Sequence, residues 1–132
     1  MILFCDTSAL VKLYILEDFS REMQTLAAAA TTISVCRIAW AEMMAALARR
    51  AREFPSDAEE IETVRNRLRT DWPRHAVVEV TQSLVELAGE FADTFALRCY
   101  DIVQLAATRT LQDSTGEEVQ FACFDIRLGK AA

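Results

Sequence analysis

Residues 1–10 read Met1-Ile2-Leu3-Phe4-Cys5-Asp6-Thr7-Ser8-Ala9-Leu10, an apolar run that stops at an aspartate and continues into two hydroxyl residues. A short apolar run of this kind predicts a buried strand, and the following residues can form a helix whose first turn Thr7 or Ser8 would cap. Asp6 then stands at the carboxyl end of a strand, the edge of an open α/β sheet at which ligands bind. Its position equally suits a helix N-cap, so this stretch alone leaves two roles open for Asp6.

The length and composition of the chain fit one globular domain over residues 1–132, because 132 residues of which 52% are hydrophobic can bury a substantial core. No apolar run is long enough to span a bilayer, and no signal-peptide pattern precedes the first strand, so we expect a cytoplasmic protein. The net charge of −6 argues against nucleic-acid binding by general phosphate neutralisation. Any nucleic-acid site must therefore be local.

The cysteines and the histidine offer little for a metal site of the zinc type. The cysteines form no C-x-x-C pair, which argues against zinc and against a disulfide framework, and we expect them as small buried apolar residues. His75, the only histidine, is expected in a loop before a strand and outside any catalytic group. The cysteines are Cys5, Cys36, Cys99 and Cys123.

Strands and helices are predicted to alternate along the chain. Beyond the first strand, the pattern predicts strands over 31–35, 76–80 and 119–124, and helices over 19–30, 38–54, 56–72, 83–95 and 102–111. Capping boxes at Ser56–Glu59 and Ser83–Glu86 would start two of the helices. This alternation predicts an α/β fold, a three-layer α/β/α domain with a parallel sheet of four to five strands.

Four acidic residues occupy comparable positions in this scheme. Asp6 and Asp125 follow predicted strands, while Glu42 and Asp101 lie in the first turns of predicted helices, so all four face the carboxyl edge of the sheet. Carboxylates gathered in one pocket repel one another unless a cation is present. Oxygen ligands suit Mg²⁺ or Mn²⁺, and such ions activate water and bind phosphodiesters.

Each of these residues also has a simpler structural explanation. Glu42 could be a solvated charge on its helix, and Asp101 and Asp125 could act only as helix caps. Ser8 is either a cap or a hydroxyl that orients water, and Arg98 either contacts a phosphate or pairs with a neighbour. We expect Thr7 to have a structural role and Lys12 to be solvated.

Four segments carry a resemblance that covers essentially the whole chain: Phe4–Leu10, Ala41–Leu47, Arg98–Ala106 and Phe124–Leu128. In this order and spacing they resemble the PIN-domain ribonucleases, most closely the VapC-type toxins of bacterial type II toxin–antitoxin modules. The resemblance implies a parallel α/β fold and an endoribonuclease that depends on Mg²⁺ or Mn²⁺. It implies a homodimer and a VapB-type antitoxin whose tail, often with an arginine, enters the acidic pocket.

The resemblance also assigns roles to the acids, with Asp6 and Asp101 as principal metal ligands and Glu42 and Asp125 completing the site. The chain departs from the family pattern at two positions. Gln104 stands where many relatives have histidine. Cys123 stands where many have serine or threonine. Both departures concern the positioning of water and leave every carboxylate in place.

Arginines at two helices suggest where RNA would lie. We hypothesise a basic rim that carries the RNA backbone past the acidic centre, although arginines also favour helix ends and exposed faces. The rim would comprise Arg49, Arg50, Arg52, Arg65, Arg67, Arg69 and Arg74.

Two other classes of protein compete with a nuclease. Receiver domains and haloacid-dehalogenase-like phosphatases also place an aspartate after the first strand, but they need a late lysine at the sheet, and Lys12 and Lys130 end no predicted strand. A catalytically inactive PIN fold that binds RNA or protein is the other alternative, and stabilisation by Mg²⁺ would distinguish an active pocket from it.

Overall fold

An all-parallel sheet forms the centre of the molecule in the computed structural model, which describes residues 1–124 and residue 131. The strands in this part of the chain are β1 (Ile2–Cys5), β2 (Thr32–Cys36), β3 (Ala76–Val78) and β4 (Val119–Ala122). They lie in the order β3-β2-β1-β4. The predicted parallel α/β fold is therefore confirmed, with four strands among the described residues.

Helices cover both faces of this sheet. They are α1 (Thr7–Tyr14), α2 (Ser20–Ala29), α3 (Ala39–Glu53), α4 (Ala58–Asp71), α5 (Gln82–Thr94) and α6 (Cys99–Thr115), with short 3-10 turns at Pro55–Asp57 and Trp72–Arg74. Because side chains alternate along a strand, Leu3 and Cys5 pack with α1 to α4, whereas Phe4 packs with α5 and α6. Two cores thus enclose the sheet, as the three-layer prediction requires.

Strand β1 lies at the centre of the sheet, between β2 and β4. The chain leaves β1 through helices on one face and enters β4 from α6 on the other face. The topology therefore changes direction beside β1, which is where open α/β sheets form their binding crevice. Asp6, the residue after β1, lies at this point.

Helix α6 is buried over most of its first half, as its apolar sequence predicts. Residues 102–107 are all buried, and four of them fill the core between the sheet and α5: Ile102, Val103, Ala106 and Ala107. The helix runs to Thr115, beyond the predicted end at 111, and stops where Gly116 adopts a left-handed conformation with φ of 66°.

The predicted helix starts are corrected in three places. Asp6, rather than Thr7 or Ser8, is the N-cap of α1 and accepts a hydrogen bond from the Ala9 amide. The Ser56–Glu59 capping box does not form, because Pro55 starts a 3-10 turn that leads directly into α4. The Ser83–Glu86 box does not form either: Thr81 precedes α5 in an extended conformation and its hydroxyl accepts from the Leu84 amide.

Other predictions differ in detail. Strands β3 and β4 end two residues before their predicted ends, at Val78 and Ala122. Cys5 and Cys36 are buried as predicted, but Cys99 is exposed because it opens α6 on its solvent side. Asp125 and the turn predicted over 126–128 lie outside the described residues. Within the described part of the chain, no helix combines the length and hydrophobicity needed to cross a membrane.

Candidate active site

A cavity of about 840 Å³ opens at the carboxyl edge of the sheet, between the first turns of α1, α3 and α6. It brings together three of the predicted acids, Asp6, Glu42 and Asp101, and it also includes Ser8 and Gln104. The other residues that line it are Thr7, Val11, Ile38, Ala41, Ala45, Ala46, Arg49, Arg52, Arg98 and Tyr100.

Asp6 is the most buried of these acids, with 4% of its surface exposed. Its Oδ1 accepts hydrogen bonds from the Ala9 amide at 2.9 Å and from Ser8 Oγ at 2.7 Å. Burial raises the pKa of Asp6, these hydrogen bonds oppose the rise, and the negative charge of Asp101 adds to it. Asp6 therefore caps α1 and also lines the acidic cavity, so the cap does not keep it away from the predicted site.

Glu42 lies in the first turn of α3 and is held by two neutral donors. Its Oε1 accepts from Thr7 Oγ1 at 2.9 Å and from Gln104 Nε2 at 2.9 Å. Burial raises the pKa of Glu42, the two donors lower it, and the charges of Asp6 and Asp101 raise it further. The alternative that Glu42 is a solvated charge is therefore wrong.

The bonds of Gln104 and Thr7 to Glu42 are not expected from the sequence, in which Gln104 stands out only as a departure from the family pattern and Thr7 as a structural residue. Gln104 is 2% exposed, and its Nε2 lies 3.3 Å from Thr7 Oγ1 as well as bonding Glu42. Its Oε1 is buried and has no hydrogen-bond partner among the described residues. The spacing of Gln104 three residues after Asp101 places both on one face of α6 and was the available signal.

Asp101 is the third residue of α6 and points into the cavity with its side chain 18% exposed. Arg98 is the N-cap residue of the helix, so the alternative that Asp101 is the cap is wrong. The Arg98 Nε atom lies 3.3 Å from Asp101 Oδ2, so Arg98 pairs with a neighbour, which is one of the two alternatives considered for it. The arginine is largely exposed and lines the mouth of the cavity.

Ser8 connects the acidic site to the segment after β4. The Ser8 hydroxyl donates a hydrogen bond to Asp6 Oδ1, and Ser8 Oγ accepts one from the Phe124 amide at 3.0 Å. Ser8 is thus no helix cap; it fixes the orientation of Asp6.

The hypothesised basic rim divides in the structure. Arg49 and Arg52 line the cavity, but Arg50 lies 4.0 Å from Asp57 and over the ring of Phe54. Arg65 and Arg69 pair with Glu62, Arg67 lies over Tyr14, and Arg74 lines a separate cavity at the amino edge of the sheet.

The carboxylate oxygens in the cavity are suitable ligands for a hard divalent cation. Among the described residues no three acidic, histidine or cysteine side chains form a ready-made ligand group. Mg²⁺ needs less, because it is commonly held by one or two carboxylates together with water and substrate phosphates. The carboxylates of Asp6 and Glu42, whose pKa values are raised by burial and by neighbouring negative charge, would be favoured in the ionised form by such a cation.

Comparison with known families identifies the class of protein. The model of the PIN domain family matches residues 3–115, and the chain belongs to this family. The match includes Asp6, Glu42 and Asp101. No curated protein matches the chain.

Solved structures share the fold at low sequence identity. Mycobacterium tuberculosis VapC20, a toxin that cleaves the sarcin–ricin loop, is 19% identical with a TM-score of 0.70, over 98% of this chain and 94% of that one. A Klebsiella pneumoniae toxin–antitoxin complex is 18% identical with a TM-score of 0.67, over 95% and 87%. VapBC2 of Rickettsia felis, bound to a promoter DNA fragment, is 13% identical with a TM-score of 0.58, over 93% and 100%.

Proposed function

We propose that this protein is a metal-dependent endoribonuclease and the toxin of a type II toxin–antitoxin module. The observation that carries the proposal is the convergence of Asp6, Glu42 and Asp101 in one cavity at the carboxyl edge of the sheet. The membership of the PIN family supports the class of reaction, and the fold of the toxins described above supports the biological class.

In this proposal the acids hold Mg²⁺ or Mn²⁺. Asp6 and Asp101 are the principal ligands, and Glu42 and Asp125 complete the acidic site. When bound, the cation would lower the pKa of a coordinated water and would supply positive charge for the scissile phosphate.

The protein residues then orient the reacting groups. Ser8 and the Ala9 amide hold Oδ1 of Asp6 in a fixed orientation, from which the carboxylate would contact the cation. Thr7 and Gln104 hold Oε1 of Glu42 in the same way, so that Oε2 can accept a hydrogen bond from the attacking water. Fixed hydrogen bonds of this kind reduce the reorganisation that the transition state requires.

Binding of RNA must be local on a chain with a net charge of −6. Arg49, Arg52 and Arg98 supply positive charge on the walls of the cavity. Phosphates beside the scissile one would contact these side chains, while the scissile phosphate enters the acidic centre.

We also propose a VapB-type antitoxin and a homodimer. An acidic cavity with arginine walls can accept a cationic tail in place of the cation, so such a tail would inhibit cleavage by competition. Light scattering of the purified chain tests the dimer, and relief of inhibition by added Mg²⁺ tests the competition.

The deciding experiment measures cleavage of a mixed RNA pool with Mg²⁺ or Mn²⁺, against EDTA and against Asp6→Asn. Asp113→Asn is the matched control, because Asp113 is an exposed acid of α6 paired with Arg109, outside the cavity. We expect cleavage to require the cation. The Asp6→Asn variant should cleave more slowly by about a hundredfold or more, and the Asp113→Asn variant should cleave like the wild type. A folded protein that neither binds the cation nor cleaves RNA would be the inactive binding module instead.

A further inference from the structure

Two exposed phenyl rings stack on each other next to Ser8, a residue that lines the acidic cavity. The rings of Phe19 and Phe124 stack with their centroids 5.5 Å apart and their planes 29° from parallel. Phe19 is 57% exposed and Phe124 is 37% exposed, so each ring keeps part of its surface in contact with solvent. We call these two rings the aromatic platform.

The aromatic platform is joined to the acidic site by hydrogen bonds. The Phe124 amide donates to Ser8 Oγ, and Ser8 donates to Asp6 Oδ1. Lys12, one helical turn after Ser8 on α1, places Nζ 4.7 Å from the Phe124 ring centroid and 5.9 Å from that of Phe19. One helical turn is about 5.4 Å, so the aromatic platform lies within reach of a nucleotide whose phosphate occupies the cavity.

The backbone of Phe19 is strained. Its φ of 69° is the only positive value among the described non-glycine residues, and it is unusual for a bulky side chain. Ser20 fixes this turn: its hydroxyl donates to the Ile15 carbonyl and accepts from the Glu17 amide. The left-handed conformation is unfavourable for a residue with a Cβ atom, and the exposure of the apolar ring to water is a second unfavourable feature. A strained and exposed aromatic residue beside a site is a reason to look for a ligand of its ring.

From this geometry we propose that the aromatic platform stacks an unpaired base of the RNA whose backbone enters the cavity. The inference rests on the proposed nuclease function and adds a substrate-binding surface to it. Aromatic side chains stack bases in proteins that bind unpaired RNA, independently of sequence, because every base has a π-face. Lys12 Nζ lies over the two rings and adds positive charge there, although its ion pair with Glu17 at 2.9 Å shares that charge.

The size and charge of the surface favour a base over a second copy of the chain. An aromatic side chain buries about 150–250 Å² at most, so two half-covered rings provide far less than the roughly 800 Å² per partner of a stable protein interface. A single base covers an area of this size. Lys12 and the arginines of the cavity wall then contact the phosphates on either side of this base.

The test measures binding of a single-stranded oligoribonucleotide about eight nucleotides long that carries 2-aminopurine, whose fluorescence falls on stacking. Binding is followed at low salt with Ca²⁺ in place of Mg²⁺, so that a divalent cation still neutralises the carboxylates while its different coordination geometry disfavours cleavage of the probe. The variant is Phe19→Asn, since asparagine tolerates the left-handed conformation and the fold keeps or gains stability. The matched control is Phe54→Asn, because Phe54 is 53% exposed with Arg50 over its ring but is not part of the cavity.

We expect quenching by the wild type and by Phe54→Asn, and binding about tenfold weaker or more for Phe19→Asn. Phe19→Tyr keeps the ring and should bind like the wild type. Equal quenching by Phe19→Asn and the wild type, or a change only in oligomeric state, would overturn the proposal.

Cleavage measured in parallel separates this proposal from the nuclease function. Metal-dependent cleavage with unchanged quenching in Phe19→Asn would overturn the aromatic platform alone. Quenching that depends on Phe19 without any cleavage would support the aromatic platform on a chain that binds RNA but does not cut it.

Discussion

Gln104 Nε2 donates a hydrogen bond to Glu42 Oε1 at 2.9 Å and so joins α6 to α3 across the acidic cavity. The two residues are 62 positions apart in the chain, and Thr7 from α1 bonds the same carboxylate oxygen. The carboxylate is therefore held by two helices other than its own. We therefore expect a substitution of Gln104 to affect metal binding and cleavage more than the stability of the core.

Gln104→Leu should lower the affinity for Mg²⁺ and the rate of cleavage by about tenfold or more, as the loss of a residue that orients a ligand does. The free energy of unfolding should change by only about 1 kcal/mol, because leucine also removes the unpartnered Oε1. Gln112→Leu, an exposed position on the same helix, is the control for both measurements. Equal metal affinity in the two variants would show that Gln104 does not position Glu42.

Asp6→Asn should stabilise the metal-free protein at pH 7. The pKa of Asp6 is raised chiefly by burial, so its ionised form is disfavoured in the folded state. Below the unfolded pKa of 3.8 the group is protonated in both states, so the destabilisation develops as the pH rises from 3.8 to the raised pKa of the folded state and then levels off. Asparagine imitates the protonated carboxyl and keeps the cap.

Thermal unfolding in EDTA from pH 4 to pH 8 measures this effect. The advantage of Asp6→Asn over the wild type should grow with pH and then level off. Asp6→Ala is the contrasting variant, because loss of the cap costs about 1 kcal/mol at every pH. A wild type that is more stable than Asp6→Asn at pH 7 would contradict the prediction.

Asp101→Asn should abolish the stabilisation that Mg²⁺ gives to the wild type. A ligand at about a hundred times its dissociation constant stabilises the folded state by about 2.7 kcal/mol, which is several degrees in Tm. Asp113→Asn removes an arginine-paired acid from the same helix outside the cavity and should respond to Mg²⁺ like the wild type. If Asp101→Asn and Asp113→Asn showed the same shift in Tm, Asp101 would not be a ligand.

The sequence predicted those parts of the fold and site that depend on local pattern. Leu3, Phe4 and Cys5 predict a buried strand because all three are apolar. Asp6 directly follows this strand, which predicts its position at the carboxyl edge of the sheet. The capping boxes failed because Pro55 and Thr81 impose their own backbone geometry before the predicted serines. The hydrogen bonds that Thr7 and Gln104 make to Glu42 were not predictable in the same way, since they depend on how three helices pack.

Tyr14 should contribute to stability without taking part in the site. Its hydroxyl donates to Asp71 Oδ2 at 2.8 Å and joins α1 to α4, and burial raises the pKa of this phenol. Tyr14→Phe should lower the free energy of unfolding by about 1.5 kcal/mol or more, the usual contribution of a hydrogen bond to a charged group. Chemical denaturation measures the loss, and Tyr100→Phe, at an exposed position, should cost nothing. Reduced RNA cleavage by folded Tyr14→Phe would contradict a purely structural role.

Arg49 and Arg52 should contribute to RNA affinity, whereas Arg50 should not, although the three lie within one turn of α3. Arg49 and Arg52 line the cavity, and Arg50 lies by Asp57 and the Phe54 ring. For single strands, each lost phosphate contact should reduce the slope of log affinity against log salt by about 0.7. Arg49→Ala with Arg52→Ala should therefore lower the slope by about 1.4, and Arg50→Ala should leave it unchanged. Fluorescence anisotropy of a labelled RNA across a salt series measures the slopes, and identical slopes in all variants would mean that the RNA backbone does not pass along α3.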